Sequence, residues 1–172
     1  MATNIEIKAR VDDFESLKEQ AEGLSDQPLK IIPQEDTFFN IEKGRLKLRV
    51  LAPDRGYLIY YERPDQDGPK RSDYHLAETH DPESLKTALA LALGVRGIVK
   101  KTRYLYMVGQ TRIHLDEVEG LGHFMELEVV MSADQSDAEG QAIAEDLMHR
   151  LGIREDALIE GAYMDLIESH IR

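Results

Sequence analysis

The stretch Arg112–Val129, RIHLDEVEGLGHFMELEV, decides how the rest of the chain is read. Two runs in it alternate with a period of two, the signature of strands with one polar and one apolar face, and GLG between them supplies a turn. On the first run Arg112, His114 and Asp116 share a face opposite Ile113 and Leu115. On the second, Glu126 and Glu128 oppose Met125, Leu127 and Val129. The spacing therefore predicts that Asp116, Glu126 and Glu128 converge on one side of a strand pair. Carboxylates so placed repel one another unless protons or cations intervene, and a divalent metal with oxygen ligands is an economical partner. A solvated strand face is the other reading.

The same specialisation of faces recurs upstream. Asn4, Glu6, Lys8 and Arg10 alternate with Ile5, Ile7, Ala9 and Val11. In GRLKLRV, Arg45, Lys47 and Arg49 share a face. In IVKKTRYLYMV, Lys101 and Arg103 lie opposite Lys100, Thr102, Tyr104 and Tyr106. QEDTFFN, YLIYYER and RSDYHLAE bring the count to about eight strands, with a short apolar segment at 29–33 before them. Asp12 or Asp13 caps a helix over FESLKEQAEGL that Gly23 helps to end, and Asp81, Pro82 and Gly94 bracket a second. Helical spacing returns in QSDAEGQAIAEDLMHRLG and in REDALIEGAYMDLIESHI, so the chain closes on helices.

Whole strands thus carry one sign of charge: basic at 45–49 and 101–103, acidic at 112–116 and 126–128, mixed at 4–10. Alternation alone leaves two packings open. In a sandwich the charged faces sit in water. In a closed antiparallel barrel the apolar faces pack outward under helices and the charged faces line a lumen. Such a lumen needs a charged guest, and a polyanion with its divalent cation satisfies both signs.

The 172 residues at 42% hydrophobic content suit one domain spanning 1–172. With no cysteine, disulfides, thiolate metal sites and Cys nucleophiles are excluded. No apolar run approaches the roughly 20 residues of a membrane span, and MATNIEIKAR lacks a signal-peptide core, so a cytoplasmic protein without membrane contact is expected. A net charge of −12 argues against nucleic acid as a partner.

Five segments in order, NIEIK, QEDTFF, GRLKLR, KKTRYLY and IHLDEVEGLGHFMELE, resemble the CYTH domain or triphosphate tunnel metalloenzyme family over nearly the whole chain. That family includes class IV adenylyl cyclases, thiamine triphosphatases and inorganic triphosphatases. The resemblance implies an α+β fold, a closed eight-stranded antiparallel β-barrel with helices packed outside. Its tunnel would bind a triphosphate through Lys8, Lys47, Arg49, Lys101 and Arg103, and Mg²⁺ or Mn²⁺ through Glu6, Asp116, Glu126 and Glu128. Lys8 and Asp116 are the expected catalytic pair. Arg112 is a further substrate-binding candidate because its face suits the lumen. Arg63 is another, provided a bulge turns it inward, since Glu62 stands where cyclase-like relatives have a basic residue. Lys70 and Arg71, beside a turn, are as readily solvated surface. Family members often pair as homodimers.

A second departure lies at the family's Glu-x-Glu-x-Lys signature, where this chain has Asn4, Glu6 and Lys8. An amide oxygen there can still reach a metal, but with less charge. His114 is expected to hydrogen-bond or to play a structural part, a general base being the alternative. Tyr60, Tyr61, Tyr104 and Tyr106 are expected to pack under helices, and Tyr163 to anchor the last helix. The LDEVEGLGHFMELE stretch looks most like the cyclase branch, so the leading expectation is conversion of ATP to cyclic AMP and pyrophosphate. The alternatives are hydrolysis of inorganic triphosphate, thiamine triphosphate or a nucleoside triphosphate, and non-catalytic binding of polyphosphates or nucleotides.

Overall fold

Alternation in the sequence becomes curvature once both faces of each strand find partners. The computed structural model describes residues 2–62, 68–160, 163, 165 and 166. Among them, β1 (Ala2–Arg10), β2 (Lys30–Phe39), β3 (Arg45–Ala52), β4 (Arg55–Glu62), β5 (Lys70–Thr79), β6 (Val95–Val108), β7 (Thr111–Val118) and β8 (Gly122–Val130) form a closed antiparallel barrel. The order around it is β1-β5-β4-β3-β2-β6-β7-β8. The first strand closes it, since Glu6 pairs with Glu128 of β8 on one side and with Lys70 of β5 on the other. The sandwich is thereby excluded, and among the described strands no sheet edge is left to template aggregation.

The outward apolar face is the main core. Ile5, Ile7, Ala9, Ile113, Leu115, Met125, Leu127 and Val129 are all fully buried, beneath α1 (Phe14–Leu24) and α3 (Asp137–Arg150). Each large aliphatic side chain so covered contributes about 1.5–3 kcal/mol, and that term holds the opposite, charged faces inward. A third helix, α2 (Pro82–Leu93), packs outside β2, β3 and β4; in chain order it is the second. Asp13, Asp81 and Ser136 accept hydrogen bonds from the backbone N–H groups of Ser16, Ser84 and Glu139, capping the three helices. Close approach of α3 depends on Gly140, where an added Cβ would lie 2.5 Å from Met131 Sδ and 2.6 Å from Ile5 Cγ1. The β7–β8 turn uses Gly120 and Gly122 at φ +81° and +106°, which other residues rarely adopt. No described helix is long and apolar enough to cross a membrane.

Several local expectations are corrected. Residues 29–33 are not a separate segment: β2 runs from Lys30 through Pro33 to Phe39. Pro33 is tolerated because it faces Thr102 of β6 only, the register with β3 beginning at Glu35. Gly23 lies within α1, which ends where Ser25 N–H donates to the Ala21 carbonyl. The run from 154 is not one helix. It makes a single 3₁₀ turn at Glu155–Ala157, then Leu158 bridges to Ala9 and Ile159 N–H donates to the Lys8 carbonyl at 3.0 Å. The backbone is captured there by β1. Tyr163 and Leu166 follow, and Ile167 lies outside the described residues. Tyr104 packs on Phe14 of α1, ring centroids 5.8 Å apart, but Tyr61 turns into the barrel and Tyr60 donates its hydroxyl to Glu62.

Candidate functional site

A cavity of about 370 Å³ runs inside the barrel. Its lining includes Asn4, Glu6 and Lys8 of β1, Lys47 and Arg49 of β3, Lys101 and Arg103 of β6, Arg112 and His114 of β7, and Glu126 and Glu128 of β8. Each reaches the lumen because inward positions on neighbouring strands are in register: Arg112 opposite Glu128, His114 opposite Glu126, Glu126 opposite Lys8. Arg63 lies outside the described residues. Lys70, expected equally at the surface, is instead 1% exposed, opposite Glu6 on β5.

The cations are organised by two buried carboxylates. Asp36 of β2, 1% exposed, accepts both Nε and Nη2 of Arg49 at 2.8 Å, and Lys101 Nζ at 3.1 Å. Lys47 Nζ stands 3.7 Å from the same carboxylate. Burial alone would raise the Asp36 pKa, but Arg49, Lys101 and Lys47 together hold it well below the usual range. Burial works the other way on the lysines. Lys101 is lowered to about 8, and Lys47, also repelled by Arg49, falls well below its ordinary value. Asp116 is fully buried and accepts Arg103 Nε and Nη2 at 2.9 Å each, and the Tyr163 hydroxyl at 2.8 Å. It does not line the cavity. Against burial, Arg103 keeps its pKa depressed.

On the acidic side, Glu126 sits 3.5 Å from Lys8, and Arg112 Nη2 is 2.8 Å from Glu128. His114, not Asp116, completes the acidic group, its Nδ1 lying 3.7 Å from Glu126 and 3.6 Å from Glu128. Suitable donor atoms of His114, Glu126 and Glu128 all fall within 4.8 Å of one another. Asn4 Oδ1 and His114 Nδ1 are buried acceptor-capable atoms without a hydrogen-bond partner. Anionic and neutral donors gathered around unsatisfied buried atoms are a set that a divalent cation fits.

Part of the lumen lining is apolar: Phe38, Ile59, Tyr61, Val99 and Tyr163 line the cavity and, with Phe124, belong to one buried apolar cluster. The Tyr163 ring lies under Lys8 Nζ at 4.1 Å and Lys101 Nζ at 5.0 Å, so it lines the cavity as well as anchoring the C-terminal segment. Ile32, Leu51 and Leu105 are half-buried lining residues two positions beyond Gln34, Arg49 and Arg103 on their strands, and the half-buried Tyr57 packs against the apolar cluster. Sequence reasoning missed Asp36, although its face on β2 was readable from QEDTFF. It also missed the lumen role of Tyr163, which has no local signal because its hydrogen-bond partner Asp116 lies 47 residues away and its lysine partners farther still.

The structure is a closed barrel in which clustered cations and clustered carboxylates line one cavity. The chain belongs to the CYTH domain family, whose model matches residues 2–163. It is 26% identical over 170 residues to a Methanocaldococcus jannaschii protein named "Putative adenylate cyclase", covering 94% of this chain and 97% of that one. The solved structure of a Pyrococcus horikoshii protein is similar at 31% identity and a TM-score of 0.82, over 95% of this chain and 98% of the other. A Hippeastrum protein, described as a "putative adenylyl cyclase" with a dominant triphosphatase activity, shares the fold at 18% identity and a TM-score of 0.69, over 97% and 96% of the two chains.

Proposed function

We propose that the lumen binds a nucleoside triphosphate with a divalent cation and converts ATP to cyclic AMP and pyrophosphate. The observation that carries this reading is the apposition, across one cavity, of Lys8, Lys47, Arg49, Lys101 and Arg103 with Glu6, Glu126 and Glu128. Arg49, Lys101 and Arg103 lie ready to neutralise non-bridging phosphate oxygens, two of them with planar forks already oriented by Asp36 and Asp116. Holding those heads in place before substrate arrives lowers the reorganisation that the reaction demands. Lys8, between Glu126 and the Tyr163 ring, meets the phosphate nearest the carboxylates. The half-buried Ile32, Leu51 and Leu105 give an apolar seat for a base within the cavity lining. That seat favours a nucleoside over bare inorganic triphosphate.

Glu6, Glu126 and Glu128 would hold Mg²⁺ or Mn²⁺, with the Asn4 amide oxygen beside them, and Asp116 would act by positioning Arg103. When bound, the cation offsets phosphate charge and eases ionisation of the ribose 3′-hydroxyl. The O3′–Pα bond forms, the bond from Pα to the bridging oxygen breaks, pyrophosphate leaves with the electron pair, and the hydroxyl proton passes to solvent. A second reading, triphosphate hydrolysis, uses the same cations with water as nucleophile; the activity ascribed to the Hippeastrum protein favours it.

Phosphorus NMR of the protein with Mg²⁺ or Mn²⁺ and ATP, inorganic triphosphate or thiamine triphosphate separates the readings. Cyclic AMP with pyrophosphate supports cyclisation. Orthophosphate release replaces it with the second reading, and shifted but unconverted resonances reduce the site to a binding module. Joint replacement of Lys47 and Arg49 by Ala is expected to weaken triphosphate binding at least tenfold with the far-UV circular dichroism unchanged. Unaltered affinity would remove the lumen from the binding role.

A further inference from the structure

The acidic wall of the lumen is not made of carboxylates alone. His114 is 4% exposed, stands on β7 opposite Glu126, and turns Nδ1 toward both Glu126 and Glu128. The separations, 3.7 and 3.6 Å, are too long for hydrogen bonds, and Nδ1 has no other partner. A buried ring nitrogen left unsatisfied between two carboxylates asks for an explanation. Two donor atoms that share one ion at about 2.1 Å each lie ~3 to 4 Å apart, which spans both separations. A single cation would satisfy all three groups.

We propose that His114 is a metal ligand, and that with Glu126 and Glu128 it forms a mixed nitrogen–oxygen site that favours first-row transition ions over Mg²⁺. This rests on the reading of the lumen as a metal-dependent triphosphate site and specifies which ion that site takes. The charge balance points the same way. Asn4 stands where a carboxylate would add a negative hard oxygen, and its Nδ2 instead leans on Glu6 Oε2 at 3.4 Å. Exchanging a carboxylate for an amide lowers affinity for Mg²⁺, which depends on charged oxygens. An imidazole nitrogen offsets that loss for first-row transition ions, which bind nitrogen donors more strongly than Mg²⁺ does, by a margin that is smallest for Mn²⁺ and grows across the row. His114 is well placed for the role because the β7–β8 register fixes it beside both glutamates without help from a loop.

The probe is Mn²⁺ alone, added to the full-length protein without nucleotide. Electron spin-echo spectroscopy of the bound ion is expected to show nitrogen-14 modulation from a directly coordinated imidazole. In His114→Gln that modulation disappears, and Mn²⁺ affinity falls about tenfold or more while Mg²⁺ affinity changes much less. Wild-type protein is sufficient for the decisive spectrum, so a poorly folding variant leaves the test standing. Bound Mn²⁺ without nitrogen modulation, or modulation that persists in His114→Gln, overturns the role of His114 but leaves a carboxylate metal site intact. Failure of Mn²⁺ to bind at all overturns both this inference and the metal-dependent reading beneath it.

Discussion

Lys101 shows how far the lumen shifts single residues. Burial brings its pKa to about 8 although Asp36 accepts a hydrogen bond from it. Its charge is present below that pH and is lost as pH rises through it. Triphosphate binding to the metal-free protein is therefore expected to weaken between pH 7 and 9, measured by titration calorimetry. Lys101→Arg should flatten that dependence, because a guanidinium stays charged throughout. Asp36 is the complementary case. Removing its charge in Asp36→Asn leaves Arg49, Lys47 and Lys101 facing one another in a buried space. A loss of about 3 kcal/mol in urea unfolding is expected, the size typical of a buried pair broken on one side. A loss below about 1 kcal/mol would mean that the cations are solvated by other routes.

At the scale of elements, the fit of α3 against β1 and β8 depends on Gly140. The nearest obstacles to a methyl group there are Met131 Sδ and Ile5 Cγ1, and Met131 can swing aside more readily than a side chain on a central strand. Gly140→Ala is expected to destabilise by about 1–3 kcal/mol as α3 is pushed outward, with the better helix propensity of Ala recovering only part. Thermal unfolding followed by circular dichroism reads the effect directly. If α3 instead tolerates the methyl, the melting temperature will rise. The β7–β8 hairpin is locally determined by contrast, since its alternation, its glycines and its register agree with one another.

The whole barrel concentrates buried carboxylates, and this sets its response to acid. Asp36, Asp116 and Glu126 all have depressed pKa values, held down against burial by Arg49, Arg103 and Lys8 respectively as the leading cations. Between the unfolded and folded values the unfolded chain binds more protons. Stability from these groups is thus complete above the ordinary carboxylate range and is lost as pH falls below about 4 toward the folded values. Urea midpoints should drop steeply below pH 4. Lys101 acts at the other limit: the unfolded chain again binds more protons between about 8 and the ordinary lysine value of 10.5, so this group adds stability as pH rises across that window.

What the sequence determined was the set of faces. Period-two alternation assigned Lys47, Arg49, Lys101 and Arg103 to polar faces and Ile5, Leu115 and Leu127 to apolar ones, because side-chain direction in a strand is fixed by the local backbone. The order of five motifs then gave the family and, through it, the barrel. Whether those polar faces meet water or one another is a question of closure. That was decided only when β1 paired with both β5 and β8. The choice of ion-pair partners between neighbouring strands was likewise hidden. Asp36 gathers Arg49, Lys101 and Lys47, Asp116 turns to Arg103 and Tyr163, and His114 takes the place expected for Asp116 beside the two glutamates. Such choices depend on competition among several charges in a dry interior and, for Lys101 and Tyr163, on segments far apart in the chain, and no local pattern encodes them.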